Sequence, residues 1–353
     1  MTDFFPEGQS PRESGFSMPA EWTPQESVFL SWPLNPRTWP GCFPETEKAY
    51  ADFAAAITRH ELLRIICPQK ENKRIAELLF SHNAMLEQVE FLDIPTNDTW
   101  CRDHGPVFVR NPRSGERAIV DFTYNSWGGK FPPWDKDNAV PEKVARALGC
   151  KRFPVSFVCE GGALESNGKG DLLTTRSVIL NPNRNKGISE KAAGQLLCDA
   201  LGIRQVLWLD SGLPGDDTDG HIDTLARFFQ EDAVLALLGP KSHPGYDTMK
   251  QNFKSLQKMR TAEGKPLQVV PLPVPAPIRP EGWREEILPA TYANFLLINH
   301  AVLVPTYRQD SLDRKAQKII ADAFPDREII PIDCYNIILE GGALHCLSQQ
   351  QPL

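Results

Sequence analysis

No segment of this 353-residue chain approaches the run of about 18 apolar residues that a membrane-spanning helix needs, so an integral membrane protein is not expected. The opening stretch, MTDFFPEGQSPRESGF, lacks both the basic region and the apolar run of a secretory signal. The cytoplasm is therefore the expected compartment. Dense clusters of Lys and Arg are also missing, and the formal net charge is −7. Nucleic-acid binding depends on neutralising phosphates and is not expected of such a chain; a small cationic partner suits its field better. The eight cysteines stand at 42, 67, 101, 150, 159, 198, 334 and 346, no two closer than nine positions. That spacing argues against a zinc ribbon or a paired redox centre and leaves most of the thiols as small buried apolar groups.

With 41% hydrophobic and 24% charged residues, the composition excludes disordered and fibrous classes. The length suits two ordinary domains or one large pseudo-symmetric one. No boundary signal divides the chain, so a single domain over residues 1–353 is expected. In residues 45–60 (ETEKAYADFAAAITRH), Tyr50, Phe53, Ala54 and Ile57 recur at helical spacing, and the apolar strand Leu62–Cys67 follows. The same helix-then-strand unit returns at 188–201 before 205–209, at 245–259 before 267–271, and at 311–323 before 328–332. Such repetition implies an α/β class. A sharper repeat lies inside it: Glu160-Gly161-Gly162-Ala163-Leu164 recurs, 180 positions on, as Glu340-Gly341-Gly342-Ala343-Leu344. A fixed offset marks internal symmetry. The two loops are expected at equivalent places, with Cys346 in one where the other has Ser166. Pro132-Pro133, the stretch 272–280 and a hinge at Gly128-Gly129 read as long surface loops, a kind of segment that often covers a site.

Four segments combine turn residues with acids, His or Cys between apolar strands: 97–109 (NDTWCRDHGPVFV), 159–165 (CEGGALE), 215–229 (GDDTDGHIDTLARFF) and 340–351 (EGGALHCLSQQQ). Loops at strand ends are where α/β proteins place function. Cys346 is the candidate nucleophile, but an ordinary thiol is only a few per cent thiolate at neutral pH, so it needs a cationic or hydrogen-bonding neighbour. His221 is the candidate neighbour. On a strand, His221 and Asp223 would project to one face, setting a proton carrier beside a carboxylate. Carboxylates match a guanidinium, a planar cation whose N–H groups they accept in pairs. Asp103 and Asp223 are placed to grip its edges, and Glu160 to hold a remaining nitrogen or the imidazole. Each residue also has a plainer reading: Cys346 as an inert core thiol, His221 as a satisfied structural histidine, Asp103 as the ion partner of Arg102, Glu160 as a turn cap, Trp100 as packing. His345 would face away from Cys346 on an extended segment and reads as structural.

Met18-Pro19-Ala20-Glu21-Trp22, Ser31-Trp32-Pro33, the segment from Trp100 through Arg102-Asp103 to Gly105-Pro106, and Pro133 to Asp137 are followed by Glu160-Gly161-Gly162, Asp219-Gly220-His221-Ile222-Asp223, Asn294-Phe295, and His345-Cys346 with Gln349-Gln350-Gln351-Pro352. In these motifs and their order the chain resembles, over nearly its whole length, the agmatine deiminase and bacterial-type peptidylarginine deiminase family of the guanidino-modifying pentein superfamily. The resemblance implies a five-bladed, pseudo-symmetric α/β propeller with the active site on its central axis. It also implies a hydrolase in which Cys346 forms a covalent amidino-thioether and His221 is the general acid and base. Asp103 and Asp223 would bind the guanidinium, Glu160 would support histidine and substrate, and Asn294 would join the substrate site. No metal or organic cofactor is implied. Agmatine, converted to N-carbamoylputrescine and ammonia on a route to putrescine, is the leading substrate; arginine in peptides or proteins is the nearest rival. A noncatalytic guanidinium- or metal-binding protein is the rival from another class. The chain departs from the Gly-Gly-Gly-Asn-Ile-His-Cys run of agmatine-specific members over Glu340 to Cys346, and carries Gln25 where a histidine is common. Those departures bear on the far end of the substrate, where Asp217 is expected to meet a free amine and Trp100 to pack on the aliphatic chain. A homo-oligomer is compatible with the sequence.

Overall fold

The computed structural model describes residues 4–6 and 8–353. In chain order its strands are β1 (Gln25–Ser31), β2 (Leu62–Cys67), β3 (Val89–Asp93), β4 (Val107–Arg110), β5 (Arg117–Thr123), β6 (Lys151–Val158), β7 (Glu165–Ser166), β8 (Asp171–Thr175), β9 (Gln205–Leu209), β10 (Ala226–Gln230), β11 (Ala233–Leu237), β12 (Gln268–Leu272), β13 (Leu296–Ile298), β14 (Ala301–Thr306), β15 (Glu328–Asp333) and β16 (Ser348–Pro352). They form five small sheets on one plan. In β4-β5-β6, β7-β8-β9, β10-β11-β12 and β13-β14-β15, the first strand is antiparallel to the second and the second is parallel to the third. A parallel pair needs a crossover, and one helix supplies each: Val140–Leu148, Glu190–Leu201, Tyr246–Leu256 and Asp310–Ala323. In the remaining sheet the last strand, β16, is antiparallel to β1, which is parallel to β2 across helix Phe43–Thr58; β3 adds a fourth strand. Five copies of one unit are the blades of an α/β propeller.

Local sequence accounts for these elements. Strand β2 lies between β1 and β3 and is buried from Leu63 to Cys67, which is why it reads as an unbroken apolar run. The expected helix at 188–201 starts at Glu190 because the Ser189 hydroxyl accepts the Ala192 N–H at 3.2 Å. It stops where Gly202 turns left-handed at φ 61. The other expected helix-strand pairs are present with ends moved by a few residues, as at Tyr246–Leu256 and β12.

The site is positioned by the five connections that lead from one sheet to the next: residues 94–106, 159–164, 210–225, 273–295 and 334–347. The two Glu-Gly-Gly-Ala-Leu loops lie on the second and fifth, the equivalence their repetition implies. The second glycine of each is a point of close approach. A Cβ on Gly162 would stand 2.5 Å from His221 Nδ1 and 2.8 Å from Asp103 Oδ1, and one on Gly342 2.3 Å from Trp100 Cζ3. Gly128, one of the two glycines of the expected hinge, is closely packed. Asn125 accepts the Gly128 N–H at 2.8 Å, and a Cβ on Gly128 would stand 2.4 Å from Asn183 Cγ. The turn is packed, and it carries the Trp127 side chain inward.

Candidate active site

Cys346 sits in the turn before β16, only 4% exposed, in a cleft that Trp100, Asp103, Trp127, Phe131 and Asp217 also line. Asn294, from the connection after β12, fixes this turn. Its side-chain oxygen accepts the N–H groups of His345 (3.1 Å) and Cys346 (3.2 Å), and its amide nitrogen donates to Cys346 Sγ at 3.1 Å. The Arg102 N–H donates to the Cys346 carbonyl at 3.1 Å, joining the first connection to the fifth. Sγ lies 3.7 Å from Asp223 Oδ2.

His221 is fully buried, with Nδ1 3.5 Å from Asp103 Oδ1 and Nε2 3.8 Å from Glu160 Oε2. Both separations exceed hydrogen-bond length. Neither ring nitrogen, nor Glu160 Oε2, nor Asp223 Oδ1, has a hydrogen-bond partner among the described residues. Buried polar atoms are nearly always paired, so these four atoms are the contacts that a bound group would complete. The remaining carboxylate oxygens of the site are held firmly. Asp103 accepts from Trp127 Nε1 at 3.0 Å and from the Gly162 N–H at 3.1 Å. Glu160 Oε1 accepts from Arg184 Nε at 2.7 Å, and Asp223 Oδ2 lies 2.7 Å from His345 Nδ1.

The electrostatics follow from burial and proximity. Burial raises the Asp103 carboxyl to about 6 against the pull of His221. Burial also disfavours a charged His221, but Asp103, Glu160 and Asp223 outweigh it and raise the imidazole to about 9. Despite their burial, Glu160 is held below the usual carboxylate range by His221 and Arg184, and Asp223 by His345 and His221. Cys346 moves the other way: burial, then the charges of Asp223 and Asp103, push its thiol well above the ordinary value. At neutral pH the free protein therefore holds a neutral thiol, an imidazolium and an excess of carboxylate. A bound cation would pair with the carboxylates and lower the thiol at once.

Several expected local structures differ. Residues 221–223 are not a strand; Ile222–Thr224 form a single helical turn. Polar side chains there compete with ladder pairing: the Thr218 hydroxyl accepts the His221 N–H at 3.0 Å and the Thr224 hydroxyl donates to the His221 carbonyl at 2.8 Å. His221 and Asp223 still meet at the site, through the turn rather than a shared strand face. His345 does not point away, because its segment is a turn and not extended; its ring bridges Asp223 and, at 2.8 Å, Glu21 Oε2. Arg102 is not the partner of Asp103, since it donates to the His345 carbonyl (3.2 Å) and Gln350 Oε1 (2.6 Å). Glu160 caps no turn with its side chain. Trp100 is buried on the cleft wall with its ring 5.7 Å from that of Trp39. Asp217 lines the cleft, but its Oδ2 already accepts from Arg284 Nη2 at 2.8 Å.

Sequence reasoning missed Trp127 and Arg184, which orient Asp103 and Glu160, and the deeper pair Glu21 and Arg227. The turn residues around Trp127 are the available signal, and Glu21 lies in the motif Met18-Pro19-Ala20-Glu21-Trp22. Glu21, Glu165 and His345 present ligand atoms within 4.8 Å of one another. Arg227 already occupies their carboxylates, donating to Glu165 at 2.8 Å and Glu21 at 2.7 Å. Its guanidinium supplies the positive charge that this acid pair requires.

Fold and site together define a five-bladed α/β protein whose blade connections gather a thiol, an imidazole and three carboxylates. The chain belongs to the Porphyromonas-type peptidyl-arginine deiminase family, whose pattern matches residues 17–352. It is 33% identical over 364 residues to the agmatine deiminase of Ectopseudomonas mendocina, with 97% of each chain covered. Among solved structures, the agmatine deiminase of Enterococcus faecalis superposes with a TM-score of 0.91 at 32% identity, covering 98% of each chain. A candidate arginine deiminase from Porphyromonas gingivalis superposes at 0.86 and 40% identity, covering 96% of this chain and 98% of that one. No helix among the described residues is long and apolar enough to cross a membrane.

Proposed function

We propose that this chain is a cytoplasmic hydrolase of a single catalytic domain that converts agmatine to N-carbamoylputrescine and ammonia. One observation carries the reading: Cys346 Sγ lies 3.7 Å from the Asp223 carboxylate, and the other oxygen of that carboxylate, Glu160 Oε2 and both ring nitrogens of His221 are buried without hydrogen-bond partners among the described residues. A guanidinium supplies the matching N–H groups and presents its carbon to the sulfur.

Asp103, Asp223 and Glu160 pair with the cation, whose charge lowers the thiol and favours the thiolate. The thiolate attacks the guanidinium carbon to give a tetrahedral adduct. His221, protonated below about 9, donates its proton to the nitrogen that leaves as ammonia, and an amidino-thioether remains. The neutral imidazole then takes a proton from water as the water oxygen adds to the same carbon. Collapse expels the thiolate and, with loss of a proton, leaves the ureido product.

Ammonia release from agmatine, free arginine and an arginyl peptide tests the reading, with agmatine expected to lead. Turnover of the peptide alone would overturn it. That second reading has one observation in its favour: an open groove lined by Arg37, Asp98, Lys136 and Arg284 among others adjoins the cleft, where flanking chain could lie. Cys346→Ser should abolish turnover while sparing binding. Full activity in that variant, or loss of activity on chelation, would instead favour a protein that binds guanidinium or metal without covalent chemistry.

A further inference from the structure

At the mouth of the cleft stands a guanidinium belonging to the protein itself. Arg284, on the connection after β12, donates from Nη2 to Asp217 Oδ2 at 2.8 Å and places Nη1 3.2 Å from Glu340 Oε2. Its Cζ lies 4.9 Å from the centre of the Phe131 ring, and Glu285 stands 3.8 Å from its Nε. Asp217 and Glu340 come from the third and fifth connections, so one side chain bridges two blades. It borders both the thiol cleft and the adjoining groove and is 39% exposed. Two carboxylates facing an aromatic ring form a receptor for a cation. Lys130 is not its occupant, because its ammonium donates to the Asp217 carbonyl (2.5 Å) and to Asp219 Oδ1 (2.7 Å).

We infer that Arg284 is a displaceable latch that sets selectivity for the far end of a guanidine substrate. Held between Asp217 and Glu340, it cancels the charge that would attract a terminal amine. A substrate tail that ends in an amine must displace it, whereas an uncharged tail of the same length gains nothing by doing so. Partly exposed ion pairs are weak, so one cation can exchange for another here. Substitution of Arg284 bares both carboxylates and removes the competitor.

This inference rests on the guanidine-binding reading above, and its test does not depend on turnover. Binding of agmatine and of n-butylguanidine, which has the same four-carbon chain without the amine, is measured by calorimetry in Cys346→Ser and in Cys346→Ser with Arg284→Ala. The second substitution should tighten agmatine by about tenfold, equivalent to about 1.4 kcal/mol, and leave n-butylguanidine nearly unchanged. Arg284→Lys, which keeps a competing cation, should retain most of the parent's behaviour. An agmatine affinity that is unchanged or weaker in the alanine variant, or an equal gain for both ligands, overturns the latch. Ammonia release by the unsubstituted protein is a separate readout: its absence while agmatine still binds would remove the proposed reaction and leave the latch standing.

Discussion

Trp127→Phe removes one donor from the site, the indole N–H that reaches Asp103 Oδ2 at 3.0 Å, and leaves the Gly162 N–H in place. The indole meets Tyr124 and Phe131 edge-on with ring centres 5.6 and 5.7 Å away, contacts that a phenyl ring largely keeps. A hydrogen bond to a charged acceptor contributes about 1.5 kcal/mol at the lower end of its range, and about 1.4 kcal/mol corresponds to one pH unit in a pKa. The Asp103 carboxyl, raised by burial to about 6, should therefore move to about 7 in the variant. An acid is anionic only above its pKa, so the proposed cation binding through Asp103 should be present above about 6 in the parent and fade as the pH falls through that value. In the variant it fades a unit earlier. The ratio of parent to variant kcat/KM for agmatine should approach about tenfold near pH 5.5 and shrink to a small pH-independent remainder above about pH 8. Initial rates of ammonia release below KM, taken across that range, measure it. A ratio that stays constant with pH would refute the reasoning: Asp103 would not set the acid limb, or the indole would not act on it. The limb belongs to the coupled cluster of Asp103 and His221 rather than to one microscopic site, but a donor lost from Asp103 must still shift it upward.

Gly162→Ala should lower kcat by about 100-fold, because its Cβ would press on His221 Nδ1 and Asp103 Oδ1 and displace both by a fraction of an ångström; a rate near the parent's would mean that the loop yields freely. In the parent, the His221 pKa is raised to about 9, so its contribution to stability is complete below its ordinary value near 6.5 and is lost as the pH rises through about 9. His221→Asn should therefore show a shallower fall in Tm between those pH values than the parent, and equal slopes would contradict the raised imidazole. Glu21→Gln should destabilise the fold by about 3 kcal/mol, since it weakens the counter-charge of the fully buried Arg227; a denaturant midpoint unchanged from the parent would show that Glu165 alone suffices.

Much of the fold was legible because its signals are local. Tyr50, Phe53, Ala54 and Ile57 mark one face of a helix whatever lies around it, and Leu62–Cys67 reads as a buried strand for the same reason. The five-residue repeat at 160–164 and 340–344 also announced that two loops would be equivalent, and they are the second and fifth blade connections. The errors lie where tertiary contacts choose between local options. Residues 221–223 carry a strand-like pattern, but the Thr218 and Thr224 hydroxyls hold them in a turn. An extended backbone would turn His345 away from Cys346, but residues 344–347 form a turn. Trp127 and Arg184 left almost no trace, since neither stands near its carboxylate in sequence.

The sequence by itself determined the class of chain, the rhythm of helix and strand, and the kinds of group available for chemistry: one thiol after a glycine turn, one histidine flanked by acids, and carboxylates to spare. These are properties of residues and their near neighbours. Only the tertiary structure decided that Asp103, Glu160, His221, Asp223, Asn294 and Cys346, drawn from all five connections, share one buried place. It alone decided which of their atoms are left unpaired, that the thiol is pushed up while the imidazole is raised to about 9, and that Arg284 spans the entrance. Burial and electrostatic field are sums over everything that surrounds an atom, and most of those surroundings are far away along the chain.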